Sequence, residues 1–157
     1  MYGKIQSHEQ ILKTLESLKS LDLTIVFTNG CFDLLHPGHI EYLAAAKALG
    51  DILIVGLNDD ESVKRLKGVK RPINELAERT IMLAALQAID FVVPFSEDTP
   101  ESLIKAIQPQ VLVKGGDYTK ETIVGAKFVE SQGGTVEIIP FKKGYSTTDL
   151  IENIKNL

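Results

Sequence analysis

The sequence predicts an α/β protein with a Rossmann-like, doubly wound sheet of five parallel strands and helices on both faces. Three observations predict it. Five short apolar runs, at 23–27, 52–57, 91–93, 111–113 and 135–139, are rich in Val and Ile and lack polar alternation, as strands buried on both faces do. Segments of helical pattern separate them, at about 38–49, 59–66, 75–88, 100–107 and 121–132, with a last one after Ser146. Parallel strands need such crossovers. No internal repeat, low-complexity tract or Gly/Pro-rich linker divides the 157 residues, so a single domain over 1–157 is expected, with 1–21 as an N-terminal helical extension. Ligands of such a sheet bind at the carboxyl ends of the strands, near the switch point.

Each element has a local justification. Between Ser7 and Lys19, apolar residues fall at Ile11, Leu12, Leu15 and Leu18, a stripe along one helical face. Ser7 and Gln10 match a capping box, and this helix is expected to pack against the edge of the sheet. The run Leu23-Thr24-Ile25-Val26-Phe27 reads as the first strand, and the Ala- and Leu-rich segment from Ile40 to Leu49 as the helix that follows it. Asn74 precedes Glu75 and a long periodic run, so it is expected to open a helix. Thr99 is expected to cap a helix with Pro100 at its first position. Ser146-Thr147-Thr148-Asp149 joins an N-cap to an acidic residue three later. Gly50 and Gly133-Gly134 stand where helices should stop.

Composition narrows the function. Seventeen basic against twenty-one acidic residues give a net charge of −4, which argues against a nucleic-acid partner, since binding a polyanion leaves a basic footprint. Cys31 is the one cysteine, so neither an intramolecular disulfide nor a multi-cysteine zinc site can form. The first residues lack a signal-peptide core, and no apolar run approaches the roughly 18 residues of a membrane span. A cytoplasmic protein without membrane partners is expected.

The most informative stretch is Thr28-Asn29-Gly30-Cys31-Phe32-Asp33-Leu34-Leu35-His36-Pro37-Gly38-His39. It places two imidazoles at a strand-to-helix turn, where free N–H groups and the helix dipole favour an anion. Zinc suits the pair poorly, because no third ligand stands at a recognised spacing. Phosphate suits it better: Gly38 admits a ligand close to the backbone, and imidazole N–H groups can donate to phosphate oxygens. Cys31 has no base at a recognised spacing and reads as a small side chain beside the loop rather than a nucleophile. The run from Lys64 to Pro72 carries Lys64, Arg65, Lys67, Lys70 and Arg71. It is either a solvated loop or a cationic lid over phosphates. After the fourth strand, Lys114-Gly115-Gly116-Asp117-Tyr118 reads either as a frame for a flat group, with Asp117 accepting from a ribose hydroxyl, or as a tight turn in which Asp117 caps a helix. Gly144-Tyr145-Ser146-Thr147-Thr148 is a hydroxyl-rich helix start that caps itself or cradles a phosphate.

In this order, the His-x-Gly-His turn and the Ser-Thr-Thr helix start resemble the cytidylyltransferase-like nucleotidyltransferases, over Leu23 to Leu157. Within that superfamily the chain looks most like the heptose 1-phosphate adenylyltransferases in their stand-alone form, without a fused sugar kinase. The phrases that carry this likeness are Phe27-Thr-Asn-Gly-Cys-Phe-Asp-Leu-Leu-His36, Arg65-Leu-Lys-Gly68, Arg71-Pro-Ile-Asn74, Asp98-Thr-Pro100, Leu112-Val-Lys-Gly-Gly-Asp-Tyr118 and Gly144-Tyr-Ser-Thr-Thr148.

The resemblance implies transfer of AMP from ATP to a sugar 1-phosphate, a heptose 1-phosphate, with Mg2+ carried mainly on the ATP phosphates. It implies that His36, His39 and Lys67 are catalytic. It implies that Asn29, Gly30, Cys31, Phe32, Asp33, Gly38, Lys114, Gly115, Gly116, Asp117, Tyr145, Ser146, Thr147 and Thr148 bind the nucleotide. Asp33, Lys67 and Arg71 would meet the sugar phosphate, and no protein metal site is implied. A homodimer is compatible with it. Related glycerol-phosphate cytidylyltransferases carry Arg-Thr just before the Ser-Thr-Thr motif, where this chain has Phe141-Lys142-Lys143-Gly144. Lys142 or Lys143 can replace the charge there but not the bidentate fork of an arginine. The rival readings are a cytidylyltransferase for glycerol 3-phosphate or a similar small phosphate, a nucleotide-binding module without turnover, and a fragment of a class I aminoacyl-tRNA synthetase. The short acidic chain disfavours the last.

Overall fold

A computed structural model describes residues 1–140 and 144–156. Phe141, Lys142, Lys143 and Leu157 lie outside the described residues, and with them the expectation placed on Lys142 and Lys143. The chain runs α1 (His8–Leu18), β1 (Ile25–Gly30), α2 (Pro37–Lys47), β2 (Ile52–Asn58), α3 (Asp60–Lys67), α4 (Leu76–Ala84), β3 (Phe91–Phe95), α5 (Glu101–Ile107), β4 (Val111–Gly115), α6 (Ala126–Ser131), β5 (Thr135–Ile139) and α7 (Thr147–Lys155). The five strands form one sheet in the order β3-β2-β1-β4-β5, and every pairing is parallel. The order reverses between β1 and β4, where Val26 faces Val111 and Phe27 faces Leu112. The expected doubly wound sheet is present, with its switch point at those two strands.

Successive residues of a strand point to opposite faces, so the sheet carries a core on each side. Phe27, Ile54, Leu112 and Val136 pack with Ile11, Leu103, Ile104 and Val129 of α1, α5 and α6. Val26, Leu53, Val55 and Val113 pack with Leu43, Ala46, Leu83 and Ala84 of α2 and α4. All seven residues of β2 are buried, which explains why that run shows no alternation. Ser7 and Gln10 form the expected capping box, each backbone N–H donating to the other side chain. Ile11 seats α1 in the core beside β3, an edge strand. Ahead of α1, Ile5 bridges to Val92, and the Lys4 ammonium donates to the carbonyls of Leu86 and Ile89.

Several boundaries differ from the sequence expectation. β1 starts later and runs on through Thr28, Asn29 and Gly30, so these residues belong to the strand and not to the loop after it. Thr28 is held there by the Tyr42 hydroxyl at 2.6 Å. Burial pushes the Tyr42 phenol up to about 12, so the hydroxyl stays protonated. Lys64, Arg65 and Lys67 form the last turn of α3, where cations complement the helix dipole; the loop proper begins at Gly68. Glu75, not Asn74, is the N-cap of α4, and its N–H meets the Glu78 carboxylate. α4 stops at Ala84. Pro100 itself occupies the N-cap of α5. The segment at 121–132 divides into a short 3-10 turn at Lys120–Thr122 and α6. Gly125, at φ 87°, separates them with a left-handed residue that no continuous helix contains.

Candidate functional site

The site lies where β1 ends and α2 begins. His36 is extended, at φ −141° and ψ 166°, and caps α2 by accepting the N–H of His39 at its Nδ1, 3.3 Å away. Pro37 follows at the first helical position, where a missing N–H costs nothing. Because Nδ1 of His36 accepts, its neutral ring carries the proton on Nε2. The His36 and His39 rings stack, with centroids 3.7 Å apart and planes 17° from parallel. The edge of Phe32 meets His39 at 5.2 Å between centroids.

These rings also explain the glycines. A Cβ at Gly38 would lie 3.1 Å from Nδ1 of His36 and 3.2 Å from Cβ of Tyr145, and one at Gly30 would fall 2.9 Å from the Phe32 ring. Both positions therefore lack side chains so that the rings can close over them.

Burial lowers the pKa of both imidazoles. For His39 it acts with the adjacent His36 charge, against a Leu34 carbonyl, to bring the value down to about 4; His36 is lowered by burial alone. Both rings are neutral near pH 7. Nδ1 of His39 is buried and has no hydrogen-bond partner among the described residues.

The start of α7 rests on the same turn. Ser146 caps α7 by accepting the Asp149 N–H at 3.0 Å. Thr147 Oγ1 donates to the Leu34 carbonyl at 3.4 Å. The Tyr145 ring lies 21° from parallel to His36, with centroids 6.3 Å apart. Tyr145, Ser146 and Thr147 thus join the histidines, as their sequence distance alone did not require.

Asp33 and Arg71 meet each other. Asp33, 2% exposed, accepts from Arg71 Nε at 2.5 Å and from the backbone N–H groups of Ile73 and Asn74 at 2.8 and 2.9 Å. Asn74 Nδ2 returns a bond to the Asp33 carbonyl at 2.8 Å. Asn74, read from sequence as a helix opener, is instead a clasp between the 68–75 loop and the β1–α2 loop.

Arg65 is spent on Asp98 and the Ser96 carbonyl, and Lys64 on Glu61, so neither turns toward the histidines. Lys67 stands close enough to Cys31 and Lys114 to affect the titration of both. Burial pushes the Cys31 thiol up, with Lys67 and Arg79 acting the other way. Such a thiol is a weak nucleophile at neutral pH. Lys114 and Gly115 end β4, Gly116 is left-handed at φ 115°, and Asp117 and Tyr118 are exposed beyond it. The described residues contain no group of three His, Cys, Asp or Glu side chains that could hold a metal ion.

Arg79 escaped the sequence reading. It is completely buried in α4. Nε donates to the Asn74 carbonyl, Nη1 to the carbonyls of Cys31 and Asn58, and Nη2 to the Asp60 carboxylate, all within 2.7–3.0 Å. The signal was an arginine three residues after Leu76 and four before Leu83, on the apolar stripe of the helix. A charge there must be paired.

Comparison with known proteins gives concordant matches. The family model described as cytidylyltransferase-like matches residues 27–153. The bifunctional protein HldE of Trichlorobacter lovleyi is 55% identical over 152 residues, covering 97% of this chain and 31% of that protein. The bifunctional protein HldE of Geotalea uraniireducens is 55% identical over 153 residues, with 98% and 31% covered. The chain thus spans about a third of the length of the curated relatives it matches. A crystal structure of the lipopolysaccharide core biosynthesis protein from Thermoplasma volcanium superposes with a TM-score of 0.61 at 29% identity, covering 79% of this chain and 99% of that one. The pantoate-beta-alanine ligase of Francisella tularensis, in complex with beta-gamma ATP and beta-alanine, gives 0.65 at 16% identity over 96% of this chain and 76% of that one. The second likeness is one of fold.

Proposed function

Since the chain belongs to the cytidylyltransferase-like family of nucleotidyltransferases, we propose that it transfers AMP from ATP to a heptose 1-phosphate, giving ADP-heptose and pyrophosphate. An oxygen of the sugar phosphate forms the new bond to the α-phosphorus of ATP. The bond from that phosphorus to the α,β-bridging oxygen breaks, and pyrophosphate leaves with the electron pair. A phosphate monoester is already anionic at neutral pH, so no general base is needed. Catalysis is then positioning and charge stabilisation along an in-line path.

The observation that carries the reading is the stacked pair of neutral imidazoles at the N-terminus of α2, beside the start of α7. Neutral rings donate N–H groups without adding charge, and here they would face the point where negative charge grows on the α-phosphate. Ser146, Thr147 and Thr148, with the N–H groups of α7, would hold the leaving pyrophosphate. Lys67 would neutralise the phosphates, and Gly115, Gly116 and Asp117 would frame the nucleotide. Asp33 and Arg71 would act on the sugar phosphate through the loop they fasten. Magnesium would arrive on the triphosphate, where it screens phosphate repulsion and polarises the leaving group.

Pyrophosphate release should be measured with ATP or CTP, each with heptose 1-phosphate or glycerol 3-phosphate. ATP with the heptose should turn over fastest. A clear advantage for CTP with glycerol 3-phosphate would replace this reading with the cytidylyltransferase. ATP binding with no turnover on either acceptor would favour a binding module. His39→Ala should lower kcat by at least ~100-fold, the loss expected for one oxyanion-type donor, with a smaller change in ATP affinity. Near-wild-type turnover would remove His39 from the chemistry.

A further inference from the structure

At the switch point, Lys114 on β4 and Asn29 on β1 end adjacent strands. Lys114 Nζ donates to Asn29 Oδ1 at 3.1 Å. Lys114 is partly buried, and its ammonium makes no ion pair with a carboxylate among the described residues. The face of Tyr118 lies 5.6 Å from Nζ to centroid, and Cys31 and a second cation, Lys67, stand close enough to affect its titration. A buried charge is ordinarily paired. This partly buried one has no carboxylate counter-ion among the described residues.

The amide adds a second constraint. With Oδ1 of Asn29 committed to Lys114, its Nδ2 must point the other way, and Nδ2 donates to no described residue. An ammonium has three donors and an amide nitrogen two, and one of these five is used. Four N–H groups and one positive charge at this place therefore have no acceptor among the described residues. Hydroxyl groups of a sugar or base would leave that charge unmatched; a dianionic oxygen group would match both donors and charge.

We propose that Asn29 and Lys114 seat the phosphate monoester of the acceptor, rather than forming part of the nucleotide site. This rests on the nucleotidyl-transfer reading above. The acceptor's phosphate supplies the missing counter-ion, and Lys67 at the end of α3 adds positive charge to the field around it. Asn29 lies two residues before Cys31 and seven before His36, so the seat would present the attacking oxygen from the strand side of the turn that would hold the α-phosphate.

Two substitutions test it. Lys114→Met keeps the volume and removes the charge. Asn29→Asp places a permanent carboxylate against Lys114 and fills the seat from within. Both should raise KM for the sugar 1-phosphate at least about 10-fold, the scale of one lost charge-assisted hydrogen bond. ATP affinity, measured by calorimetry without acceptor, should hold. Asn29→Asp should keep or raise the melting temperature, an effect that a damaged fold would not give. An equal loss of ATP affinity would assign the pair to the nucleotide and overturn the proposal. An unchanged KM for the acceptor would overturn it as well.

If the wild type turns over with no heptose 1-phosphate, the transfer reading fails, but the seat is still decided. Inorganic phosphate is then titrated with the non-hydrolysable α,β-methylene analogue of ATP present. Binding to wild type that is lost in Lys114→Met supports the seat; equal binding by both proteins overturns it.

Discussion

His39 shows how a single side chain couples position to charge. Its ring lies under His36 and against Phe32, and it titrates near 4 instead of its ordinary 6.5. Between those values the unfolded chain takes up a proton that the folded chain refuses, so stability falls as the pH is lowered across that window. His39 makes its full contribution above 6.5 and loses it as the pH drops toward 4. Urea midpoints taken stepwise from neutral pH down to about 4 should fall more steeply for wild type than for His39→Asn, which cannot titrate there. Parallel slopes would mean that the ring protonates freely in the fold. The placement of both histidines at one strand-to-helix turn was legible from sequence, because a strand, a turn with glycine and a helix start are local patterns. Their stacking was not, since ring orientation depends on Phe32 and Tyr145 closing over two bare glycines.

Among the elements, boundaries were read less well than identities. Each of the five strands lies where apolar runs mark it, yet β1 extends through three polar or small residues because the neighbouring β2 pairs with it as far as Leu57. Pairing of that kind is a tertiary property that no window of sequence contains. The division ahead of α6 has a similar origin. Gly125 sits at φ 87°, and a Cβ there would come within 2.7 Å of Ile104 Cδ1. Gly125→Ala should therefore destabilise the protein by about 1–3 kcal/mol, combining left-handed strain with overpacking, as read from a urea titration. Gly133→Ala offers a control, since it is also left-handed at φ 80° but has nothing within 4 Å of its would-be Cβ; its cost should be the smaller.

At the scale of the whole molecule, two polar hubs join loops that the sheet alone would leave independent. Asp33 fastens the 68–75 loop to the β1–α2 turn, and Arg79 ties α4 to the ends of β1 and β2 and the start of α3. Arg79→Met should cost about 3–5 kcal/mol, as removal of one partner from a buried polar network does, visible as a lower melting temperature and a lower urea midpoint. A variant as stable as wild type would show that the carbonyls find other donors. Sequence reading took Asp33 and Arg71 as ligand groups, and the structure pairs them first with each other. A carboxylate and a guanidinium separated by 38 positions carry no local sign that they meet.

The opening segment has a practical consequence for anyone handling this protein. Residues 4–6 run alongside the beginning of β3, pinned by Lys4 to the carbonyls of Leu86 and Ile89 and by Gln6 to Val92. Polypeptide joined ahead of Met1 would emerge near the start of β3, at the opposite end of the strands from the histidine turn. Polypeptide joined behind α7 would load the helix whose first turn touches Leu34 and His36. Affinity tags, fluorescent reporters and surface-immobilisation handles therefore belong at the amino end, where they leave the turn that carries His36 and His39 unobstructed.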